Sequence, residues 1–444
     1  MYFTIAIEDL RKPAILLGSK DFLLEAKLVA SGKKMPGLRM VPETIPLDCT
    51  VMEEIESGVS AVMDDIIAAL TQPLTDEEKS PQPAKAEKLP RIAFKGYLDE
   101  VNQFFYKRGW TDGLPIIPPT DEAVSQMLMG TDLPANHVVG NILPRLGIAT
   151  VEKIAINAVM AGALPTYMPL LIAAVQALTD QRACFSAWGI STGSFSPFWI
   201  INGPIYKDLN INNGSGALSP GNIANSAIGR AMGLIILNIG GARKGIEDMG
   251  TFGNPAKNSM VIAENEEANP WEPLHVEQGY SKEDSTITLC FPNCISQVKP
   301  YGSDDKGILN AAISNIIPGR AGPFSILISP SNARILSEKG WTKKKIAAFI
   351  SEHATVPANR HPSYYGAATR IEGQQTSSPN DSKPILNNLS WIKSIVFGGP
   401  GNLVGLVAAQ HNAGEDWVTK RIELPKNWDS LLIKYKDIVP KYIL

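Results

Sequence analysis

Between Ile262 and Thr288 the chain reads IAENEEANPWEPLHVEQGYSKEDSTIT. Glu264, Glu266, Glu267, Glu272, Glu277, Glu283 and Asp284 crowd around one histidine, His275, with Trp271 and Tyr280 among them. Carboxylates beside an imidazole can move protons near neutral pH or hold a cation. His275 is the candidate acid/base, and Glu272, Glu264 or Glu266 would orient or pair it. The bland alternative is a solvated loop with a helix cap. Asn269-Pro270 and Glu272-Pro273 are turn formers, and exposed carboxylates are common. No HExxH or histidine-rich spacing accompanies His275, so no metal ligand is assigned and the cofactor is left unknown.

A second set of candidates lies upstream. INNGSGALSPGNIANSAIGRAMGLIILNIGGAR (211–243) is a loop of Gly, Asn and Ser running into a long helix. Such a loop offers backbone N–H groups and a positive dipole end to an anion. It matches neither GxGxxG nor the P-loop pattern, so no nucleotide is inferred. Asn212, Gly214, Asn222 and Asn225 would form the cradle and Arg230 would add charge, although Arg230 lies about two turns into the helix. The competing reading is a plain connection with Asn in left-handed turns. WTDGLPIIPPT (110–120) is a rigid loop that brings Trp110 and Asp112. Asn202, closing SPFWIINGP, and Trp271, Lys153 and Asn157 complete the expected substrate-binding set.

The elements around these residues read as follows. SMVIA and STITLCF flank the acidic stretch as buried strands, and SPFWIINGP (196–204) is a third. ATVEKIAINAVMAGALPTYMPLLIAAVQALTD (149–180) is a helical hairpin with Thr150 as N-cap and Pro165 and Pro169 at the break and at the second helix start. YLDEVNQFFYKRGW (97–110) and DEAVSQMLMG (121–130) are helices, the second capped by Thr120 or Asp121. Residues 304–317 and 341–354 are helical. FSILISPSNARIL (324–336) is a strand, a turn and a helix capped by Ser329 or Ser331. SIVFGGPGNLVGLVAAQ (394–410) is a strand, a glycine turn and a strand, and 370–388 is loop. The pattern predicts an α/β or α+β fold.

Residues 1–75 read as a small α/β module: a strand at 13–18, a helix at 21–32, an extended piece at 38–46 and an amphipathic helix at 49–70. The apolar stripe of that helix is Val51, Ile55, Val59, Val62, Ile66 and Leu70. TQPLTDEEKSPQPAKAEKLP has no apolar periodicity and reads as solvated linker. The domains are therefore 1–75, a linker at 76–93, and a large pocket-bearing domain at 94–444.

At 444 residues more than one domain is expected. A net charge of -3 provides no basic field for nucleic acid or an anionic membrane surface. No run is long and apolar enough to span a bilayer, and MYFTIAIEDLRKP has no secretory pattern. Cys49, Cys184, Cys290 and Cys294 are too few for a disulfide scaffold, so a reducing, cytoplasmic setting is expected. Cys290 and Cys294 read as buried apolar positions and Cys184 as a lone thiol. His137, His353, His361 and His411 are scattered.

The segments WTDGLPIIPPT, ATVEKIAINAVMAGALP, WIINGP, NNGSGALSPGNIANSAIGR, NIGGAR and IAENEEANPWEPLHVEQGY resemble, in order, the family of UGSC-motif selenoproteins and their cysteine homologues. The likeness covers roughly 100 to 300, and is weaker to the end of the chain. GLRMVPETIP and the helix ending IIAALTQPLT resemble the tail of that family's smaller module, itself distantly similar to the selenoprotein subunit of glycine reductase. The family's redox motif, Sec or Cys followed by Gly-Ser-Cys, would precede IEDLRKPAILLG, and no CGSC or CxxC occurs here. The resemblance therefore leaves three options: a thiol- or selenol-bearing partner chain, a reading frame split at a Sec codon, or no thiol chemistry.

The expectation is a cytosolic α/β enzyme, or enzyme large subunit, acting on a small, polar, anionic substrate. Redox or reductive cleavage with a thiol partner comes first. A self-contained acid/base or metal-dependent lyase or hydratase is the alternative, and a non-catalytic subunit the third. Assembly as a homo-oligomer stays open.

Overall fold

The computed structural model describes the chain except residues 1, 21–22, 33–34, 46–50, 80–90, 301–303, 317–323, 361–377, 379–380, 387, 409–416, 437 and 439–444. Cys49, His361, His411, most of the expected linker and most of the 370–388 loop lie outside the described residues.

Alternation along one strand organises the larger part of the chain. In Phe198–Asn202 every residue is buried, because a strand covered on both faces has no solvent side. Trp199 and Ile201 face a core shared with the helices Val151–Met160, Met168–Thr179 and Ile223–Asn238. Phe198 and Ile200 face the other way, onto Leu327, Ile395 and Val407 of a second sheet. The first sheet has the order Val418–Arg421, Thr286–Cys290, Phe198–Asn202, Val261–Ala263, with only the last pair parallel. The second has the order Ile392–Val396, Phe324–Ile328, Val404–Ala408, Cys294–Val298, with only the first pair parallel. Its outer face packs under the helices Asp305–Ile313, Pro330–Glu338 and Lys343–His353. The result is four layers, helix–sheet–sheet–helix, in an α/β or α+β class.

The expected helical hairpin is present, and Thr150 caps it by accepting the Lys153 N–H at 3.3 Å. Thr120, not Asp121, caps Asp121–Leu128, accepting the Ala123 N–H at 3.2 Å. Ser329 occupies the N-cap position of Pro330–Glu338, but its hydroxyl donates to the Gly401 carbonyl at 2.6 Å instead. Some strands escape the sequence pattern, among them the hairpin Val138–Ile142 with Gly147–Thr150, and the edge strands Cys294–Val298 and Val418–Arg421. All are short, and their alternation is weak.

The N-terminal module has a parallel strand pair, Leu16–Ser19 with Met40–Glu43. Its expected long helix is two helices, Met52–Ala61 and Met63–Thr71, broken at Val62. Val62 sits at φ -113, ψ 13, outside the helical basin. The linker is not uniformly loose. Asp76–Lys79 forms a short helix, and Glu78 takes a two-pronged ion pair from Arg39 at 3.0 and 2.9 Å. Arg39 also donates to the Gln72 and Pro73 carbonyls, each at 2.7 Å, tying the helix end to the strand pair.

Ile200→Ala is expected to cost about 2–5 kcal/mol in urea unfolding, because it opens a cavity between the sheets. Ile67→Ala, on the exposed module helix, is expected to change the stability of the dilute, unassociated chain by no more than about 0.5 kcal/mol.

Candidate functional site

The parallel register pairs Ile201 with Ala263, so the next residues, Asn202 and Glu264, emerge side by side at the carboxyl ends of two parallel strands. In open α/β sheets that edge is where functional loops gather. Glu264 is fully buried. Its Oε2 accepts from Asn202 Nδ2 and the Leu274 N–H, both at 2.7 Å. Its Oε1 accepts from Asn269 Nδ2 at 2.8 Å and Lys343 Nζ at 3.3 Å. Glu266 Oε1 accepts the Gly203 N–H at 2.7 Å and Asn202 Nδ2 at 3.0 Å, and stands 3.9 Å from His275 Nδ1. Lys343 bridges on to Glu277 at 3.5 Å. Glu277 stands at the rim, its side chain 25% exposed, and partial burial raises its carboxyl above the ordinary range; Lys343 opposes this and the Glu264 charge adds to it.

His275 lies on the short helix Leu274–Glu277 and is fully buried. Among the described residues neither of its ring nitrogens has a hydrogen-bond partner, nor do the buried Asn202 Oδ1, Gln278 Nε2 and Thr286 Oγ1. Asn202 and Thr286 are direct cross-strand partners. The end of the inter-sheet layer is therefore a polar chamber, and Thr288, Thr419 and Ser325 are buried further in among the apolar side chains. Among the described residues no group of three or more His, Cys, Asp or Glu side chains is placed to hold a metal ion.

The second assembly is a cavity of ≈ 350 Å³, walled in part by Asp112, Leu114, Ser219, Asn225, Ser226 and Arg230. Arg230 reaches it despite its depth in the helix. Its Nε and Nη2 grip the Asp112 carboxylate at 2.7 and 3.0 Å, and Nη2 donates to the Pro115 carbonyl at 2.8 Å. Burial works against an Asp112 carboxylate, but the Arg230 guanidinium outweighs it and holds the carboxyl below its ordinary range. The start of Ile223–Asn238 borders the cavity, with Asn222 capping it and no acidic residue in its first turn.

The glycine-rich loop is braced by its own asparagines. Asn225 accepts the Asn212 N–H at 2.8 Å and donates to the Asn212 and Val261 carbonyls at 3.1 and 3.0 Å. Asn212 Oδ1 accepts the Gly214 N–H, and Asn222 donates to the Asn210 carbonyl. Those side chains build the loop rather than present themselves to a ligand, although Asn225 touches the cavity wall.

The expected single pocket is thus two assemblies at either end of Val261–Ala263. Asp112, Asn225 and Arg230 belong to the cavity; Asn202, Glu264, Glu266 and His275 belong to the chamber. Glu272 joins neither: it is exposed, held outward by the Pro273 turn. Trp271 braces the second core, donating from Nε1 to the Trp341 carbonyl at 2.8 Å. Trp110 stacks edge-on against Phe104 and Phe105. Lys153 is exposed and donates to the Ile148 carbonyl at 3.0 Å. Asn157 is buried and accepts from Asn238 Nδ2, which also donates to the Trp110 carbonyl. These last three hold the Trp110 loop and its helix in place. Lys343 is the residue that sequence reasoning missed. A lysine in the first turn of a helix opposes the dipole, and that is the available signal that a carboxylate elsewhere compensates it.

No family model, no curated protein and no solved structure matches the chain.

A carboxyl raised by burial costs stability once it ionises, so the penalty from Glu277 is absent below its unfolded pKa and grows as pH rises through and above that value. Glu277→Gln is therefore expected to raise the unfolding midpoint at neutral pH and to change it little near pH ~4. Thermal unfolding across a pH series checks this, and a variant destabilised at neutral pH would contradict it.

Proposed function

We propose that this chain is a cytosolic enzyme, or the large subunit of one, that takes a small, polar, anionic substrate into the cavity at Asp112 and Arg230. One observation carries the reading. A cavity of ≈ 350 Å³ combines a guanidinium, serine hydroxyls and an uncharged helix start. That size suits a small molecule, and the wall offers donors to an anion with apolar surface around them. Asp112 stands where a substrate carboxylate or phosphate would stand, and occupies Arg230 in its absence.

For the chemistry, we favour redox or reductive cleavage with a thiol or selenol from a partner chain, as the UGSC-like segments imply. Of the described cysteines, Cys290 is buried and its thiol is pushed well up by that burial, which suits packing rather than nucleophilic attack. The second reading, a self-contained acid/base lyase or hydratase, draws on the chamber: Lys343, Glu264, Glu277 and His275 together need no thiol. The third, a non-catalytic subunit, expects a splayed and exposed cluster, whereas Glu264 and His275 are fully buried.

Calorimetric titration with a panel of small carboxylates and phosphate esters tests the binding claim. At least one member is expected to bind. Arg230→Gln is expected to weaken it roughly tenfold or more, the scale of one charge-assisted hydrogen bond. Asp112→Asn is expected to tighten it, since the competing carboxylate is gone. No binding by any member, or binding indifferent to Arg230, would overturn the reading. Adding a thiol reductant to the turnover assay then separates the two chemistries.

A further inference from the structure

Two exposed surfaces take no part in the cavity or the chamber. The first is on the N-terminal module. Neither Met52–Ala61 nor Met63–Thr71 has a buried residue, so the apolar stripe of Ile55, Val59, Val62 and Ile66 is only half covered. Met52, Met63 and Ile67 beside it are 61%, 42% and 52% exposed. The flanks are acidic: Glu53, Glu56, Asp64 and Asp65 are exposed, and no Lys, Arg or His occurs between 51 and 78.

The second surface is the loop after Ile223–Asn238. Phe252 is 97% exposed and Ile246 is 42% exposed. Three cations belong to this segment or contact it. Arg145 and Arg243 are 46% and 45% exposed in their side chains and share one buried carboxylate, Glu247. Lys244 is exposed beside them. The neighbouring Asp248 is taken up by Lys257 at 2.6 Å. This surface is apolar with a basic surplus, the counterpart of the module's stripe in both respects.

We propose that the two surfaces are halves of one interface, and that the occupant of each is a second copy of this chain. Charge and hydrophobicity are complementary, and within one copy both surfaces are exposed, so they do not cover each other. In a twofold arrangement the stripe of copy one meets the loop of copy two and the reverse contact forms as well, so the pair closes as a dimer with two equal contacts; without the twofold the same contact would run on as a ring or chain. The proposal is independent of what the cavity binds.

Sedimentation equilibrium of the full chain tests it. At low salt a reversible dimer is expected, weakening as added salt, up to about 0.5 M, shortens the screening length. Phe252→Ser and Ile67→Ser are each expected to raise the dissociation constant roughly tenfold or more, as for exposed apolar anchors in an interface. Both positions are solvent-exposed, so unchanged circular dichroism will confirm intact folding. Lys244→Glu and Glu53→Lys are each expected to weaken self-association, because each sets like charges against each other in both contacts. An equimolar mixture of those two variants is expected to restore the dimer, since every contact is then between opposite charges. A monomer at all concentrations in low salt would overturn the proposal. So would a dimer indifferent to these substitutions, or a mixture that stays monomeric.

Discussion

One buried carboxylate holds the site end of this protein together. Glu264 accepts from Asn202 on the neighbouring strand, from Asn269 and the Leu274 backbone in the loop that follows, and from Lys343 on a helix of the opposite outer layer. A carboxylate this deep is tolerated only when its oxygens are fully supplied with donors. The donors come from both sides of the sheet pair. The path of 265–274 is fixed at Asn269 and at the Leu274 backbone by supplying them. Asn265 reinforces the tie by donating its N–H to the Val396 carbonyl at the end of the second sheet's parallel strand.

That requirement also explains the division of labour between the two assemblies. The groups that look most reactive in the sequence are the ones most enclosed, and several of them are committed to each other. The cavity, by contrast, is framed by a loop whose asparagines are satisfied internally, leaving Arg230, Asp112 and the serine hydroxyls at its wall. A rigid loop on a long helix is a good mount for a ligand site, because little order must be gained on binding. The Asp112–Arg230 pair closes this frame while keeping a guanidinium poised in a partly shielded setting.

Much of this is legible in the sequence where the signal is local. The caps at Thr120 and Thr150, the hydrophobic run at 198–202 and the helix after Asn222 follow from propensity and periodicity. So does the acidic stretch, with its histidine, as a concentration of polar chemistry. What is not legible depends on partners distant in the chain. Lys343 has meaning only once Glu264 is known to face it across the sheets. Glu272 and Glu264 look alike in sequence, yet strand register buries one and a proline turn exposes the other. The cavity and the chamber look like one pocket in sequence because Val261 and Glu264 are close along the chain, although three strand residues carry a chain about 10 Å. The module's helix looks continuous because its stripe is continuous; the break at Val62 changes the backbone without changing the periodicity.

On the proposed reading, small anions are taken at Arg230 while the Glu264 chamber serves as the frame. A crystal structure of the chain with the tightest-binding anion of the titration panel tests this most directly. The anion's oxygens are expected on Arg230, with the Asp112 carboxylate displaced from the guanidinium and the Glu264 contacts unchanged. An anion seated instead against His275 and Asn202, with Lys343 drawn away from Glu264, would contradict it.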